Sequence, residues 1–377
     1  MPIAARLAPL SSLIIQAARR ADADRRPSTE VMHKLGAAGL LRLVVPPEYG
    51  GEGIESAEFL TFVESLARLH GSTAWTAMTC NEEAGIASAY LEPDSMRGLF
   101  AEHPGMVIAG SGLPKGLAHR SAGGWTISGR WGFVSGCTAA DRLVLTARVA
   151  GVHPIQLCFF LVDAESVTIE DTWHTHGLRG TGSNDVVVDE LFVPDAWCGV
   201  IDNHSLPRPD TPFYRLPSGL RFPFPKVGVA AGLARSALDE FVAMAEGKRP
   251  LYHRGSLADR PSAQIAMADA EAKLSSARAW AIEMAEELWA SSAESPVIDA
   301  RLHARCRLAC ANAVGASIDA IETVITETGS SANFLTSPLG QLMADARAVA
   351  GHFTVGAYQK AIAGRVLLGL DADDPQF

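Results

Sequence analysis

The 377-residue sequence changes its pattern twice, and this order limits the folds that are open to it. Residues 1–105 carry apolar side chains at helical spacing, and "STEVMHKLGAAGLL" begins with the Ser/Thr and Glu pattern of a helix start. Between about residues 106 and 200 the segments are short, rich in Val, Ile, Thr, Phe and Trp, and separated by Gly, Asp or Pro. Helical spacing then returns in four long segments, the last over about 338–368. We therefore predict a mainly α protein with a β domain, divided into residues 1–105, 106–215 and 216–377.

The composition excludes several classes of protein. Hydrophobic residues make up 48% of the chain, and 32 basic against 42 acidic residues give a net charge of −10. This acidic balance argues against a nucleic-acid-binding protein. The apolar stretch near the start is too short and too interrupted for a membrane span, so we predict an amphipathic first helix, no membrane association and a cytoplasmic location.

The cysteines and histidines do not predict a metal site. The six cysteines lie far apart without a CxxC pair, which favours reduced structural thiols. Cys306 and Cys310 are one helical turn apart, and His174 and His176 share one face of an extended segment. Neither pair has further ligands at suitable spacing, so we prefer a structural interpretation of both.

A glycine-rich turn, "GLRGTGS" at residues 177–183, precedes the strand-like run "NDVVVDELFVP". Its glycines permit close backbone approach, and its hydroxyl and amide groups offer hydrogen bonds. The spacing differs from a dinucleotide-binding fingerprint, and no helix follows. The turn therefore either holds a planar cofactor or is an ordinary hairpin turn.

Four motifs give the chain a family resemblance. "AAGLLRLVVPPEYGGEG", "GSTAWTAM", "WTISGRWGFVSG" and "GLRGTGSNDVVVDELFVP" occur in the order seen in the acyl-CoA dehydrogenase superfamily, and four helical segments follow. The resemblance covers essentially the whole chain. It implies an N-terminal helical domain, a middle β-barrel, a C-terminal four-helix bundle and a flavin cofactor.

Two branches of this superfamily differ in their chemistry. Dehydrogenases desaturate acyl-CoA with FAD and a glutamate base, whereas flavin-dependent monooxygenases use reduced flavin and O₂. The alignment of "MADARAVAGHFTVGAYQ" with the dehydrogenase pattern puts Phe353 at the position of the base. "ADARAVAGH" instead resembles the monooxygenase pattern, in which the residue matching His352 lies near the reactive edge of the flavin. The resemblance implies that His352 hydrogen-bonds a flavin hydroperoxide or takes a proton from the substrate; the alternative is a structural histidine of the bundle.

The segment "SGRWGFVSGCTAAD" resembles the part of the β domain beside the flavin ring. Ser135 matches a small hydroxyl residue that hydrogen-bonds flavin N5, and the resemblance implies apolar surface near the ring from Trp131 and Phe133. The alternative is a cross-strand aromatic pair and a turn serine. The upstream element expected of a dehydrogenase is not visible in this sequence, which favours the monooxygenase branch.

One position departs from the pattern of the hydroxylases. Many of them have a histidine eight residues after the tryptophan of "GSTAW", where this chain has Glu83. The imidazole that would be directed at a phenol is therefore missing. Glu83 is a candidate base, a candidate ligand for an amine substrate, or a solvent-facing side chain.

Further residues are expected to bind the cofactor. Those expected beside the ring or the ribityl chain are Trp173, Arg179, Gly180 and Thr181. Those expected near the phosphate, at two helix ends, are Arg260, Ser330 and Ser331. The alternative for the second set is a surface arginine and helix-capping serines.

The resemblance as a whole implies a two-component monooxygenase. A separate flavin reductase supplies reduced FMN or FAD, the substrate is a small organic molecule, and the protein is a homotetramer. Two alternatives stay open. One is an acyl-CoA dehydrogenase with a relocated base such as Glu83, and the other is a non-catalytic homologue that binds flavin or another ligand.

Overall fold

The computed structural model describes residues 2–201, 209–251, 254–374 and 377, and they form two compact units. The first unit contains Met1–Glu55, Trp75–Thr175 and Arg179–Arg215, and the second contains Ser56–Ala74, His176–Leu178 and Leu216–Phe377. The helices in chain order are α1 (Ile3–Leu7), α2 (Ser11–Asp24), α3 (Thr29–Ala37), α4 (Ser56–Ala67), α5 (Gly71–Tyr90), α6 (Pro93–Glu102), α7 (Pro212–Arg215), α8 (Ser218–Arg221), α9 (Pro223–Gly247), α10 (Pro261–Glu294), α11 (Ala300–Thr328), α12 (Leu339–Ala350) and α13 (Gln359–Leu367). The strands are β1 (Ile108–Ser121), β2 (Gly124–Val134), β3 (Arg142–Val149), β4 (Leu157–Asp163), β5 (Thr168–Glu170), β6 (Asn184–Pro194) and β7 (Cys198–Ile201).

The helix α3 begins where the sequence predicts. The Ser28 hydroxyl caps it by accepting the backbone N–H of Val31 at 3.4 Å. Val31, Met32 and Leu35 are buried along one face. The cap satisfies one of the backbone donors that a helix start leaves without a partner, and the apolar face holds the helix against the unit.

The strands form one sheet in the order β5-β6-β2-β1-β3-β4-β7. Its pairs are antiparallel except for β1 and β3, which are parallel. Fifteen buried residues from this region form one apolar cluster on the sheet, including Trp131, Phe160 and Val186. The sheet confirms the predicted β region between two helical regions. Within the described residues β5 and β7 are its two edges and do not pair with each other, so the barrel closure that the resemblance implies is not confirmed.

The second unit is built from long helices. Gly228 and Gly232 on α9 face the α4 backbone: a Cβ at these positions would lie 2.4 Å from Leu60 O and 2.5 Å from Glu64 O. The missing side chains let α4 and α9 approach closely. As a result α4, which the sequence prediction groups with the N-terminal domain, belongs to the same unit as the bundle.

The last predicted helix, over 338–368, is interrupted. The helix α12 ends at Ala350, residues 351–358 form turns, and α13 starts at Gln359. The expectation of one continuous helix is therefore wrong, and His352 lies in the break. The segment Ala300–Asn333, which contains α11, is long and apolar enough to cross a membrane by length and composition alone, and 50% of its most apolar window is buried inside the protein.

Candidate active site

Ser135 belongs to a buried row of polar side chains in the first unit. The indole Nε1–H of Trp75 donates to Ser135 Oγ at 3.2 Å. Ser135 Oγ lies 2.8 Å from Ser183 Oγ, which lies 2.7 Å from Thr181 Oγ1. All four side chains are buried. We call these residues the hydroxyl row. Ser135 and Thr181 were predicted as site residues, Ser183 belongs to the glycine-rich turn whose hydroxyl groups were expected to offer hydrogen bonds, and Trp75 was not predicted.

Two glycines in the left-handed region shape the backbone around the hydroxyl row. Gly136 has φ +84°, and its N–H donates to Thr181 O at 2.9 Å. A Cβ at Gly136 would lie 2.7 Å from Thr76 Cγ2. Gly182, with φ +53°, lies close to the backbone of Arg25 and Arg26. Because glycine adopts positive φ without steric cost, these positions let the two turns meet and bring Ser135 against Ser183.

Two aromatic rings lie near the hydroxyl row in the chain. Phe133 is on β2, two residues before Ser135, and Trp173 precedes the glycine-rich turn. Phe133 has φ +60°, and 70% of its surface is exposed. Its ring meets that of Trp173 edge-on, with 6.1 Å between the centroids. A large apolar side chain held outward in an unfavourable backbone conformation points to a functional use of its surface.

Trp131 takes a different place from the one expected. Its side chain is fully buried in the core of the sheet, and its Nε1–H donates to Thr146 O at 2.7 Å. No exposed surface remains for contact with a flavin ring, which corrects that expectation. The predicted aromatic surface therefore consists of Phe133 and Trp173.

Arg179 and Gly180 hold the glycine-rich turn in place. The Arg179 guanidinium donates to Asp22 O at 3.2 Å and to Thr175 O at 3.0 Å. The Gly180 N–H donates to Asp22 Oδ1 at 3.0 Å. In this arrangement the two residues anchor the turn to the end of α2. Their contact with a cofactor stays a prediction.

Glu83 lies on α5 and is 8% exposed, so the solvent-facing alternative does not hold. Its carboxylate faces β1: a Cβ at Gly110 would lie 2.8 Å from Glu83 Oε2. Asn81, two residues earlier, is structural, because its side chain accepts the Leu43 N–H and donates to Leu40 O. A buried carboxylate is able to act as a base or to bind a cation, and both roles stay predictions.

The second unit holds His352 in the break between α12 and α13. Its Nδ1 lies 2.9 Å from Thr354 Oγ1 and accepts the Thr354 N–H at 3.3 Å. The imidazole stacks on Phe353, with the ring centroids 4.7 Å apart. Burial, and after it the positive charge of Lys226, lowers the pKa of His352 to about 2. The imidazole is therefore neutral at physiological pH, and Thr354 and Lys226 are neighbours that the sequence analysis missed.

Asp345 fixes the first residues of the glycine-rich turn in the second unit. This buried carboxylate accepts the Leu178 N–H at 2.6 Å and the Gln341 side-chain amide at 2.7 Å. Leu178 has φ +49°, and a Cβ at Gly177 would lie 2.1 Å from Ala344 O. The carboxylate thus holds a strained backbone conformation where the turn meets α12.

The residues expected near the phosphate lie at neighbouring helix ends of the second unit. Arg260 directly precedes α10, and Ser262 donates to Glu327 near the end of α11 at 2.9 Å. Ser331 Oγ accepts from Lys248 Nζ at 2.6 Å, and Ser330 is exposed. The cation Lys248 was missed by the sequence analysis because it is distant in the chain. Phosphate binding here stays a prediction.

Comparison with known proteins identifies the family. Residues 10–90 match the acyl-CoA dehydrogenase N-terminal domain, and residues 226–356 match the acyl-CoA dehydrogenase C-terminal domain. An indole-3-acetate monooxygenase from Pseudomonas putida is 32% identical over 350 residues, which cover 92% of this chain and 89% of that protein. The chain belongs to the acyl-CoA dehydrogenase family.

Other members of the family support the branch. The oxygenase subunit HsaA of a flavin-dependent monooxygenase from Rhodococcus jostii is 28% identical, over 91% of this chain and 92% of that protein. The crystal structure of 3-HSA hydroxylase from Rhodococcus sp. RHA1 has a TM-score of 0.88 at 26% identity and covers 100% of this chain and 99% of that one. The resemblance to the monooxygenase branch of the acyl-CoA dehydrogenase family is thereby confirmed.

The side chains of the first unit fit a flavin. A hydroxyl has one donor and two acceptor positions, and within the described residues the Ser135 hydroxyl uses two of these three. A polar edge of the ring is able to take the third. The exposed ring of Phe133 offers the apolar surface that a planar aromatic cofactor needs.

Proposed function

We propose that this protein is the oxygenase component of a two-component flavin-dependent monooxygenase that acts on a small aromatic substrate. Reduced FMN or FAD comes from a separate reductase. The observation that carries the proposal is the hydroxyl row that contains Ser135, near the exposed aromatic ring of Phe133, in a member of this family. The aromatic substrate class is taken from the relative that is named for indole-3-acetate.

Each residue then has a role. The bound reduced flavin supplies the electrons that activate O₂. Ser135 hydrogen-bonds the polar edge of the flavin, and its rotamer is held by Trp75 and Ser183. Phe133 and Trp173 supply apolar surface beside the flavin ring and exclude water, which lowers the loss of hydrogen peroxide to solvent. His352 presents a neutral imidazole to the reacting groups.

Other parts of the proposal concern binding and assembly. Arg260, Ser330, Ser331 and Lys248 bind the flavin phosphate at the ends of α10 and α11. The protein is a cytoplasmic homotetramer, supported by its six free cysteines and by exposed apolar side chains such as Leu335. Light scattering at micromolar concentration tests the assembly, and a monomer contradicts it.

The proposal is tested by the binding of reduced flavin. Under anaerobic conditions the Kd of photoreduced FMN and FAD is measured for the wild type, for Ser135→Ala, and for the control Ser276→Ala on the exposed face of α10. Loss of a hydrogen bond to the flavin should weaken binding by Ser135→Ala about three- to tenfold. Equal affinity of Ser135→Ala and the control would contradict the assigned role. Anaerobic bleaching of bound oxidised flavin by butyryl-CoA would favour the dehydrogenase alternative, with Glu83 as the first candidate for its base.

A further inference from the structure

The C-terminal end of the described chain is bound to α11 by a buried cation. Arg307 on α11 is 2% exposed, and its guanidinium forms an ion pair with the carboxylate of Asp374. The ring of Phe377 stacks on His303, with 4.0 Å between the centroids, and the Arg307 guanidinium lies 5.4 Å from the centre of the same phenyl ring. A buried charge is costly without a counter-charge, so the ion pair favours the docked position of these residues. We call residues 371–374 and Phe377 the C-terminal strap.

The same guanidinium is linked to the break between α12 and α13. Arg307 Nη1, which carries two hydrogens, donates to the Asp374 carboxylate and, at 3.3 Å, to Gln359 Oε1. The amide nitrogen of Gln359 donates in turn to the carbonyl oxygen of Phe353 at 2.9 Å. Gln359 is 3% exposed, so water does not readily replace these bonds. Three hydrogen bonds therefore connect the C-terminal strap to the backbone of the break.

Side chains help to hold the break, because it is not helical. Residues 351–358 form turns, so the regular hydrogen-bond ladder of a helix does not run through them. The Phe353 carbonyl accepts from the Gln359 amide and, at 2.6 Å, from Tyr358 Oη. The Phe353 ring is 48% exposed and stacks on His352, with the ring centroids 4.7 Å apart. The bonds that fix this carbonyl therefore also limit where the two rings lie.

We infer that the C-terminal strap positions the break of the candidate active site, and that Asp374, Arg307 and Gln359 are the positioning residues that carry this effect. The inference rests on the proposed function, because it gives the break a part in oxygenation. The three residues act through the backbone of Phe353, and the inference requires no contact between them and the substrate or the flavin. Release of the strap should loosen the break, let water reach the reacting groups and divert reduced flavin to hydrogen peroxide.

The first test measures the order of the break directly and needs no flavin. Amide hydrogen exchange is followed by mass spectrometry in the wild type, in Asp374→Asn and in the control Asp373→Asn, which changes the exposed acid next to it. Loss of the charge-assisted bond to Arg307 should raise the exchange rate of residues 351–358 about tenfold in Asp374→Asn. Asp374→Glu should stay within about threefold of the wild type, and Asp373→Asn should match it. Unchanged exchange of residues 351–358 in Asp374→Asn overturns the inference.

A second variant keeps the test decisive if Asp374→Asn loosens the whole unit. Gln359→Met keeps the ion pair between Arg307 and Asp374 but removes the link to the Phe353 carbonyl. The exchange rate of residues 351–358 should rise about three- to tenfold, while that of residues 366–374 stays as in the wild type. A rise in both segments, or in neither, overturns the link through Gln359.

The last test measures the effect on the reaction. With reduced flavin, O₂ and indole-3-acetate as the probe, Asp374→Asn and Gln359→Met should release about three- to tenfold more hydrogen peroxide per reduced flavin than the wild type. Asp374→Glu and Asp373→Asn should release about the wild-type amount. Wild-type peroxide release in both Asp374→Asn and Gln359→Met overturns the positioning role, even if hydrogen exchange rises. A wild type that forms no product from any aromatic probe fails the proposed function instead, while hydrogen exchange still decides whether the strap holds the break.

Discussion

Acid should destabilise this protein through two histidines of the second unit, the buried His303 and the half-buried His352. Burial lowers the pKa of His352 to about 2, with a contribution from the charge of Lys226. Burial, with a contribution from Arg307, lowers the pKa of His303 to about 3, and its ring stacks on Phe377 with 4.0 Å between the centroids. An unfolded histidine has a pKa of about 6.5. Between pH 6.5 and about 3 the two histidines therefore bind protons in the unfolded chain but not in the folded chain. The free energy of unfolding falls as the pH falls.

The size of the effect follows from these values. Each histidine lowers the free energy of unfolding by about 2 kcal/mol between pH 7 and pH 5, so the two together remove about 4 kcal/mol. The carboxylate of Glu271, whose pKa is lowered to about 2 by Arg235, loses its contribution only below about pH 4.5, outside this window.

Urea unfolding at pH 7 and pH 5 measures the difference. His303→Gln should remove about half of it, and His119→Gln, at an exposed position on β1, should leave it as in the wild type. If His303→Gln retains the full wild-type loss of stability, His303 does not contribute to the acid sensitivity.

Three substitutions test the contacts around the candidate site. Ser183→Ala removes the hydrogen bonds of Ser183 to Ser135 and Thr181 and should raise hydrogen peroxide release per reduced flavin about three- to tenfold. Unchanged release would mean that Ser183 only packs in the core. Asp345→Ala should lower the free energy of unfolding by about 2–4 kcal/mol, because the donors that face this carboxylate lose their acceptor. The control Asp239→Ala, in an exposed ion pair, should lower it by less than about 1 kcal/mol. Equal losses in the two variants would count against the role of Asp345 in holding the turn. Gly136→Ala should lower the free energy of unfolding by about 1–3 kcal/mol, because Gly136 has a positive φ. The control Gly98→Ala, in α6 with open space around it, should not lower it. An unchanged stability of Gly136→Ala would show that the turn relaxes without strain.

Local signals were enough for the helices and strands whose pattern is unambiguous. The Ser28 cap and the apolar face of α3 are local features, and the start of that helix is confirmed. The family resemblance, carried by four motifs in order, is also confirmed. The break after Ala350 was missed, because the apolar spacing continues through it and its glycines are weak signals within an otherwise helical pattern.

The environment of the aromatic side chains could not be predicted from spacing. Trp131 and Phe133 are two residues apart, so regular strand alternation puts them on the same face. The register of β2 against β6 shifts between Trp131 and Val134, and the positive φ of Phe133 turns its ring outward. A bulge of this kind depends on the partner strand, which a single segment of sequence does not reveal.

The neighbours of the candidate site residues were missed for a related reason. Trp75 and Ser135 are 60 residues apart in the chain, and Ser135 and Ser183 are 48 apart. No periodicity links such positions; only the folded chain brings them together. Thr354 is close to His352 in sequence, but its contact with Nδ1 requires the turn that replaces the predicted helix.

The incorporation of oxygen from ¹⁸O₂ shows whether this protein is a monooxygenase. The protein is incubated with NADH, a generic flavin reductase, FAD and indole-3-acetate under ¹⁸O₂, and the products are analysed by mass spectrometry, with a panel of phenols as further probes. We expect a product that contains one ¹⁸O atom, and only hydrogen peroxide when the protein is left out. Absence of a labelled product from every probe, together with anaerobic bleaching of the oxidised flavin–protein complex by butyryl-CoA, would contradict it.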